Sequence, residues 1–183
     1  MVTLGCLQAG CRMVLVSLFD PLRVNRLIES ERATIILGVP TKVVALLDAH
    51  NQETRDTSSL KVVSRGGSMV APELVRRVQN TFGCGFSILY GQTEHSPVIT
   101  QHYLDDSIDD ICNTAGRPIS QKDVFIRRLA DNALAAINEV GEICARGPSA
   151  MIGYHGNDAA TTETMDCDVW LHTGDLGTMD ERD

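Results

Sequence analysis

The chain has 183 residues, enough for one sizeable core or two small ones, and its 43% apolar content and mean hydropathy of -0.03 are those of an ordinary globular chain. A formal charge of -8 and a pI near 5.0 argue against nucleic acid or an anionic membrane surface as partner, because both favour basic patches; a small molecule is the expected ligand. Six cysteines with no Cys-x-x-Cys pair suggest neither a disulfide framework nor a zinc site, so a reducing cytoplasm is the default location.

In chain order, Met1 to Val16 is apolar, but it lacks a basic leader and is interrupted by Gln8 and Arg12, so it reads as core rather than as a signal sequence. No transmembrane segment is expected, since Pro40, Thr41 and Lys42 break the longest apolar candidate well short of the roughly 18 residues a span requires. Met13 to Leu18 reads as a buried strand. Asp20 followed by Pro21 starts a helix to about Glu31, the carboxylate accepting from free backbone amides and Pro fitting the first helical position.

Ala33 to Leu37 is a β-branched strand, and Pro40 opens a helix with Val43, Val44, Leu46 and Leu47 on one stripe. Asp56 to Ser59 is a polar loop and Leu60 to Ser64 a third strand, after which Gly66 and Gly67 let the backbone turn sharply or lie against a ligand. Pro72 starts a helix that places Leu74, Val75, Val78 and Phe82 inward and pairs Glu73 with Arg77. Phe86 to Tyr90 is a fourth strand.

Beyond about Gln101 the texture changes. Acidic residues cluster from Asp105 to Asp110, and short strand-like runs at Val124 to Arg127 and Gly141 to Ala145 are separated by turn residues. The expected fold is therefore α/β: a mostly parallel sheet with crossover helices over residues 1–103, followed over 104–183 by part of a small antiparallel β unit.

Several common signatures fail when counted. Gly67-Ser68-Met69-Val70 lacks the last glycine of a nucleophile elbow, Gly83 and Gly85 lack the third glycine of a dinucleotide fingerprint, and no Gly-Lys-Ser/Thr phosphate loop occurs. His95, His102, His155 and His172 have no metal-ligand spacing and read as surface or packing residues. The informative feature is the loop after the fourth strand, since ligands of open parallel sheets bind beyond the carboxyl ends of strands. Gly91 permits a close approach, Thr93 offers a hydroxyl to a phosphate, and Glu94 offers a hard oxygen suited to Mg²⁺. Taken alone, the same residues also fit a turn with a capping Thr and a solvated Glu.

Four segments in order carry a resemblance. SRGGSMVAPELVRRV (Ser64 to Val78), LYGQTEHSPV (Leu89 to Val98), GEICARGPSAMIGYHG (Gly141 to Gly156) and WLHTGDLG (Trp170 to Gly177) are similar to motifs of the adenylate-forming superfamily of acyl-CoA synthetases, luciferases and peptide-synthetase adenylation domains. A weaker match over Phe19 to Leu47 extends the resemblance across nearly the whole chain.

The resemblance implies an ATP-dependent carboxylate–CoA ligase, an acid–thiol ligase that forms an acyl-adenylate and then acyl-CoA. Its partners would be ATP, Mg²⁺, CoA and a small carboxylate, with fatty-acyl substrates favoured by SPVIT after Glu94. Residue by residue, it implies that Thr93 and Glu94 are catalytic, Thr93 at the ATP phosphates and Glu94 on Mg²⁺. Gly66, Gly67 and Ser68 would border the adenine, Gly91 would lie beside the acyl chain, and Tyr90 and Gln92 would complete the nucleotide-binding loop.

Asp175 would accept from both ribose hydroxyls, whereas Arg146, Gly147, Tyr154 and Trp170 would be structural. His95 and Ser68 depart from the Thr/Ser and Ala usual at their positions. The resemblance also implies a phosphate loop upstream of these residues and a lysine-bearing domain downstream, so the chain alone is expected to be inactive. Two alternatives stay open: an adenylation domain of a peptide synthetase, and a degenerate non-catalytic nucleotide-binding module.

Overall fold

Residues near the start depart from the sequence reading. In the computed structural model, which describes residues 2–66 and 70–182, Val2–Gln8 forms a short helix, α1, and residues 13–18 form no strand. Leu15 and Leu18 are 80% and 75% exposed, so this segment is not core. An apolar run becomes a buried parallel strand only with sheet neighbours on both sides, and the sheet here begins further along the chain.

The chain divides into two units, one of Met1–Tyr90 with Gln101–Gly116 and one of Gly91–Thr100 with Arg117–Asp183. In the first, Asp20 caps α2 (Pro21–Glu31), its carboxylate accepting the Arg23 N–H at 3.1 Å. Three parallel strands follow with intervening helices: β1 (Ile35–Leu37), α3 (Pro40–Gln52), β2 (Val62–Gly66), α4 (Pro72–Phe82) and β3 (Gly85–Tyr90). Pro occupies the first turn of α2, α3 and α4, where its missing N–H costs no hydrogen bond.

The core of this unit is the seam between helices and sheet, where Val43, Leu46 and Leu47 of α3 and Val75, Val78 and Phe82 of α4 pack with Val63, Phe86 and Ile88. Full burial of each such side chain contributes about 1.5–3 kcal/mol. The Glu73–Arg77 pair expected on α4 gives way to a bond across helices, Arg77 donating to the Asp48 carboxylate of α3 at 2.8 Å. The acidic stretch after residue 104 opens a helix, α5 (Ile108–Asn113), because the Ser107 hydroxyl accepts the Asp110 N–H.

Thr100–Gln101 and Arg117–Pro118 form two-residue strands, β4 and β5. His102 is buried within the first unit, its Nε2 lying 2.9 Å from the Thr114 hydroxyl, which bears out its reading as a packing residue.

The second unit is built on an antiparallel sheet of β6 (Asp123–Arg127), β7 (Gly141–Arg146) and β8 (Leu171–Gly177), as expected for 124–127 and 141–145. A short helix, α6 (Asp158–Thr164), precedes β8. Trp170 is buried, with the Arg146 guanidinium 4.6 Å from its ring centroid, a cation–π contact that covers the indole with charge facing solvent.

Candidate functional site

The loop that leaves β3 folds back on itself. Gly91 has φ 150°, and a Cβ there would lie 2.0 Å from the Pro97 carbonyl oxygen and 2.8 Å from the Ile99 nitrogen, so no other residue fits. Thr93–His95 then form one 3₁₀ turn, closed by Ser96 in the left-handed region with its N–H on the Thr93 carbonyl at 3.1 Å. The turn sorts its side chains: Thr93 is exposed, Glu94 half-buried and His95 fully buried.

Each of these positions is held from within the second unit. The Glu94 carbonyl accepts the Met151 N–H at 2.7 Å, and its carboxylate Oε1 accepts the Tyr154 hydroxyl at 2.8 Å. That bond to an anion raises the Tyr154 hydroxyl above its ordinary pKa. Tyr154 is itself placed by Gly153, at φ 148°, and by its own N–H donating to the Thr161 hydroxyl at 2.9 Å.

On the inner side, the His95 carbonyl accepts from Lys122 Nζ at 3.2 Å and from the Ser149 hydroxyl at 3.1 Å, and Lys122 Nζ also meets His95 Nδ1. Burial first, and the Lys122 charge second, hold the imidazole below its ordinary pKa; burial likewise lowers Lys122.

Asp175 lies on an irregular part of β8. The step from Glu142 to Cys144 on β7 is matched by the longer step from Leu176 to His172, so residues 173–175 bulge outward. Gly174 takes φ 75°, its N–H donating to Glu142 Oε1 at 2.9 Å; the Thr173 hydroxyl donates to the Ile143 carbonyl at 2.8 Å and accepts the Asp175 N–H at 3.1 Å. The carboxylate of Asp175 is exposed.

Of the predicted site residues, Gln92, Thr93, Glu94 and Asp175 thus stand on the second unit with Gly91. Gly66 ends β2 and Tyr90 ends β3 in the first unit, and Gly67 and Ser68 lie outside the described residues. Tyr154, Lys122 and Ser149 hold the loop and were not singled out as site residues. A Tyr after a flexible Gly was visible in the sequence, but its partner lies sixty positions away. The donor set at the turn is made of hard oxygens, a hydroxyl and a carboxylate, which suits a phosphate and a hard divalent cation.

Parallel strands with crossover helices, an antiparallel unit and this loop define the architecture of adenylate-forming enzymes. A long-chain-fatty-acid–CoA ligase, FadD1, from Archaeoglobus fulgidus superposes with TM-score 0.87 at 26% identity, over 98% of this chain and 38% of that one. O-succinylbenzoate coenzyme A synthetase, MenE, from Bacillus subtilis, solved with ATP and magnesium ion, gives TM-score 0.88 at 26% identity, over 98% and 36%.

The chain belongs to the AMP-binding enzyme family, whose model matches residues 1–155. The human mitochondrial medium-chain acyl-CoA ligase ACSF2 is 33% identical over 182 residues, 98% of this chain and 30% of the relative. The chain therefore spans about a third of the length of the relatives it matches. Among the described residues no helix is long and apolar enough to cross a membrane.

Proposed function

We propose that the chain supplies the Mg-ATP-facing turn of a carboxylate–CoA ligase, which joins a carboxylate to AMP with release of pyrophosphate and then transfers the acyl group to CoA with release of AMP. The observation that carries this reading is the 3₁₀ turn itself: it presents a hydroxyl and a carboxylate outward, the carboxylate aimed by Tyr154, and anchors its inner side through His95.

Thr93 would donate to the phosphates, and Glu94 would be the residue that holds Mg²⁺. A divalent cation there offsets the charge that builds when two anions are brought together. Asp175 would accept from the ribose hydroxyls, two vicinal donors suiting one exposed carboxylate. The assignments of Gly66, Gly67, Ser68, Tyr90, Gly91 and Gln92 to the adenine, the acyl group and the nucleotide loop rest on the sequence resemblance. Fatty acids are the favoured substrates, in keeping with the names of the medium-chain and long-chain relatives. Six free cysteines suit a reducing cytoplasm.

The 183 residues by themselves are proposed to contribute to a site rather than to turn over, since the relatives are about three times as long. The test is made in a chain extended to the length of those relatives. Glu94→Gln keeps the shape and removes the charge, and it is expected to slow acid-dependent ATP–pyrophosphate exchange about 10- to 100-fold. Wild-type exchange in that variant would remove Glu94 from the reaction. A panel of straight-chain and aromatic acids with CoA, read by AMP release, tests the substrate class.

A further inference from the structure

Away from the turn, three side chains of different chemistry converge on one point of the antiparallel sheet. Glu142 and Cys144 are two apart on β7 and so share a face, and His172 of β8 stands in register with Cys144. Cys144 Sγ lies 3.5 Å from His172 Nδ1, the same nitrogen lies 2.7 Å from Glu142 Oε2, and all three ligand atoms fall within 4.8 Å of one another. One imidazole nitrogen can satisfy one strong partner. A thiol and a carboxylate aimed together at that nitrogen is the arrangement a cation between them would complete.

The dimensions agree. In a tetrahedral site with metal–sulfur bonds of about 2.3 Å and metal–nitrogen or –oxygen bonds of about 2.0–2.2 Å, neighbouring donors stand roughly 3.3–3.6 Å apart. The Cys144–His172 spacing already fits, and Glu142 has to withdraw by roughly an ångström as its hydrogen bond to His172 is exchanged for a metal bond. The supporting contacts are those that ligands require. The second oxygen of Glu142 accepts the Gly174 N–H, and Asp166 Oδ2 stands 3.9 Å from both His172 Nε2 and an Arg127 guanidinium nitrogen, beyond direct hydrogen bonding but on the side from which a carboxylate orients a ligating imidazole. Asp166 is in turn fixed by the N–H groups of Asp168 and Trp170 on its other oxygen. Cys144 is fully buried and the side chains of Glu142 and His172 are 21% and 19% exposed, so the point is shielded on the thiol side and met by solvent only at the edge of the other two groups.

We propose that Glu142, Cys144 and His172 form a site for a borderline-soft divalent cation of the Zn²⁺ class, clamping β7 to β8 at the bulge that carries Asp175. Sulfur, imidazole and carboxylate together select Zn²⁺ over hard cations such as Mg²⁺, which prefer oxygen alone. Binding displaces the Cys144 thiol proton to solvent, so affinity rises with pH. Local spacing could not reveal this site, because the ligands meet only through the pairing of β7 with β8.

The experiment is a titration of the purified 183-residue chain with Co²⁺, a spectroscopic stand-in for Zn²⁺. One equivalent is expected to produce a near-ultraviolet sulfur-to-cobalt charge-transfer band with the strong visible bands of tetrahedral cobalt, and Zn²⁺ is expected to abolish both. Cys144→Val, which keeps a buried apolar side chain, should lose the charge-transfer band while its metal-free circular dichroism matches the parent. Asp166→Asn, which keeps the turn's acceptor oxygen, should weaken Zn²⁺ binding about 10-fold or more in competition with a chromophoric chelator. A chain carrying both Cys11→Ser and Cys167→Ser, which removes the exposed thiols, should bind as the parent does. Should Cys144→Val fail to fold, His172→Gln takes its place, with loss of the tetrahedral visible bands expected. Absence of the band in the parent, its survival in the Cys144 variant, its loss with the exposed thiols, or its persistence in the urea-unfolded chain would each overturn the site.

Discussion

Glu94 and His95 are neighbours in one turn with opposite environments, and the difference is set by what each side chain meets. Glu94 keeps a half-exposed carboxylate beside a phenol, whereas His95 is sealed against Lys122 and Ser149. His95 therefore carries a pH signature. Its folded pKa is held below the ordinary 6.5 by burial and then by Lys122, so below about pH 6.5 the unfolded chain takes up a proton that the folded chain refuses. Stability is expected to fall as pH drops from about 7 toward 5.5. His95→Gln should flatten that slope in urea titrations at several pH values, even though it loosens the turn; an unchanged slope would move the effect elsewhere. Asp175 allows a second expectation at this scale: in a chain of full length, Asp175→Ala should weaken ATP binding more than it slows the chemical step. Unchanged ATP affinity by titration calorimetry would sink the ribose assignment. Thr93, Glu94 and Asp175 stand out as candidates in the sequence because short motifs carry them. Tyr154 and Lys122 were not legible as anchors, because nothing local marks which distant side chain a loop will rest on.

At the scale of elements, the three helices that open on proline were readable, the short helices α1, α5 and α6 were not, and the strand expected over residues 13–18 does not form. Pro21, Pro40 and Pro72 each sit in the first turn of a helix, which placed all three starts, and the apolar stripes after Pro40 and Pro72 placed the inner faces of α3 and α4. Residues 13–18 carry an apolar run just as plain, yet a run has no period by which to tell strand from exposed chain, and partners decide it. Gly174 takes a left-handed backbone in the β8 bulge, and only pairing with β7 shows that strand continues on both sides of it. The α3–α4 seam gives a contrast of magnitudes. Leu47 is fully buried at its centre, and Leu47→Ala should cost about 2–5 kcal/mol in urea unfolding. Asp48, the next residue, faces outward with an exposed ion pair to Arg77, and Asp48→Ala should cost about 1 kcal/mol or less. Comparable losses for the two would mean that α3 is held by its ion pairs rather than by its apolar stripe.

For the whole molecule, what stays uncovered matters as much as what is packed. A mostly parallel sheet is ordinarily covered on both faces and protected at its edges, because an open strand offers unpaired N–H and C=O groups to any passing chain. Here β1 ends the sheet order, and it carries Ile35 and Leu37 at 63% and 45% exposure, a short edge with apolar side chains and no charge within it. The net charge of -8 opposes association over distances of about a Debye length and is screened by salt, whereas edge pairing acts at contact and is not. Self-association of the chain should therefore grow with concentration and with ionic strength. Replacing both residues by lysine, as Ile35→Lys with Leu37→Lys, puts like charges on the edge while leaving the α3–α4 seam untouched. Sedimentation velocity should then show a smaller high-mass fraction than for the parent at equal concentration in high salt. An equal high-mass fraction in the two chains would place the sticking surface away from β1.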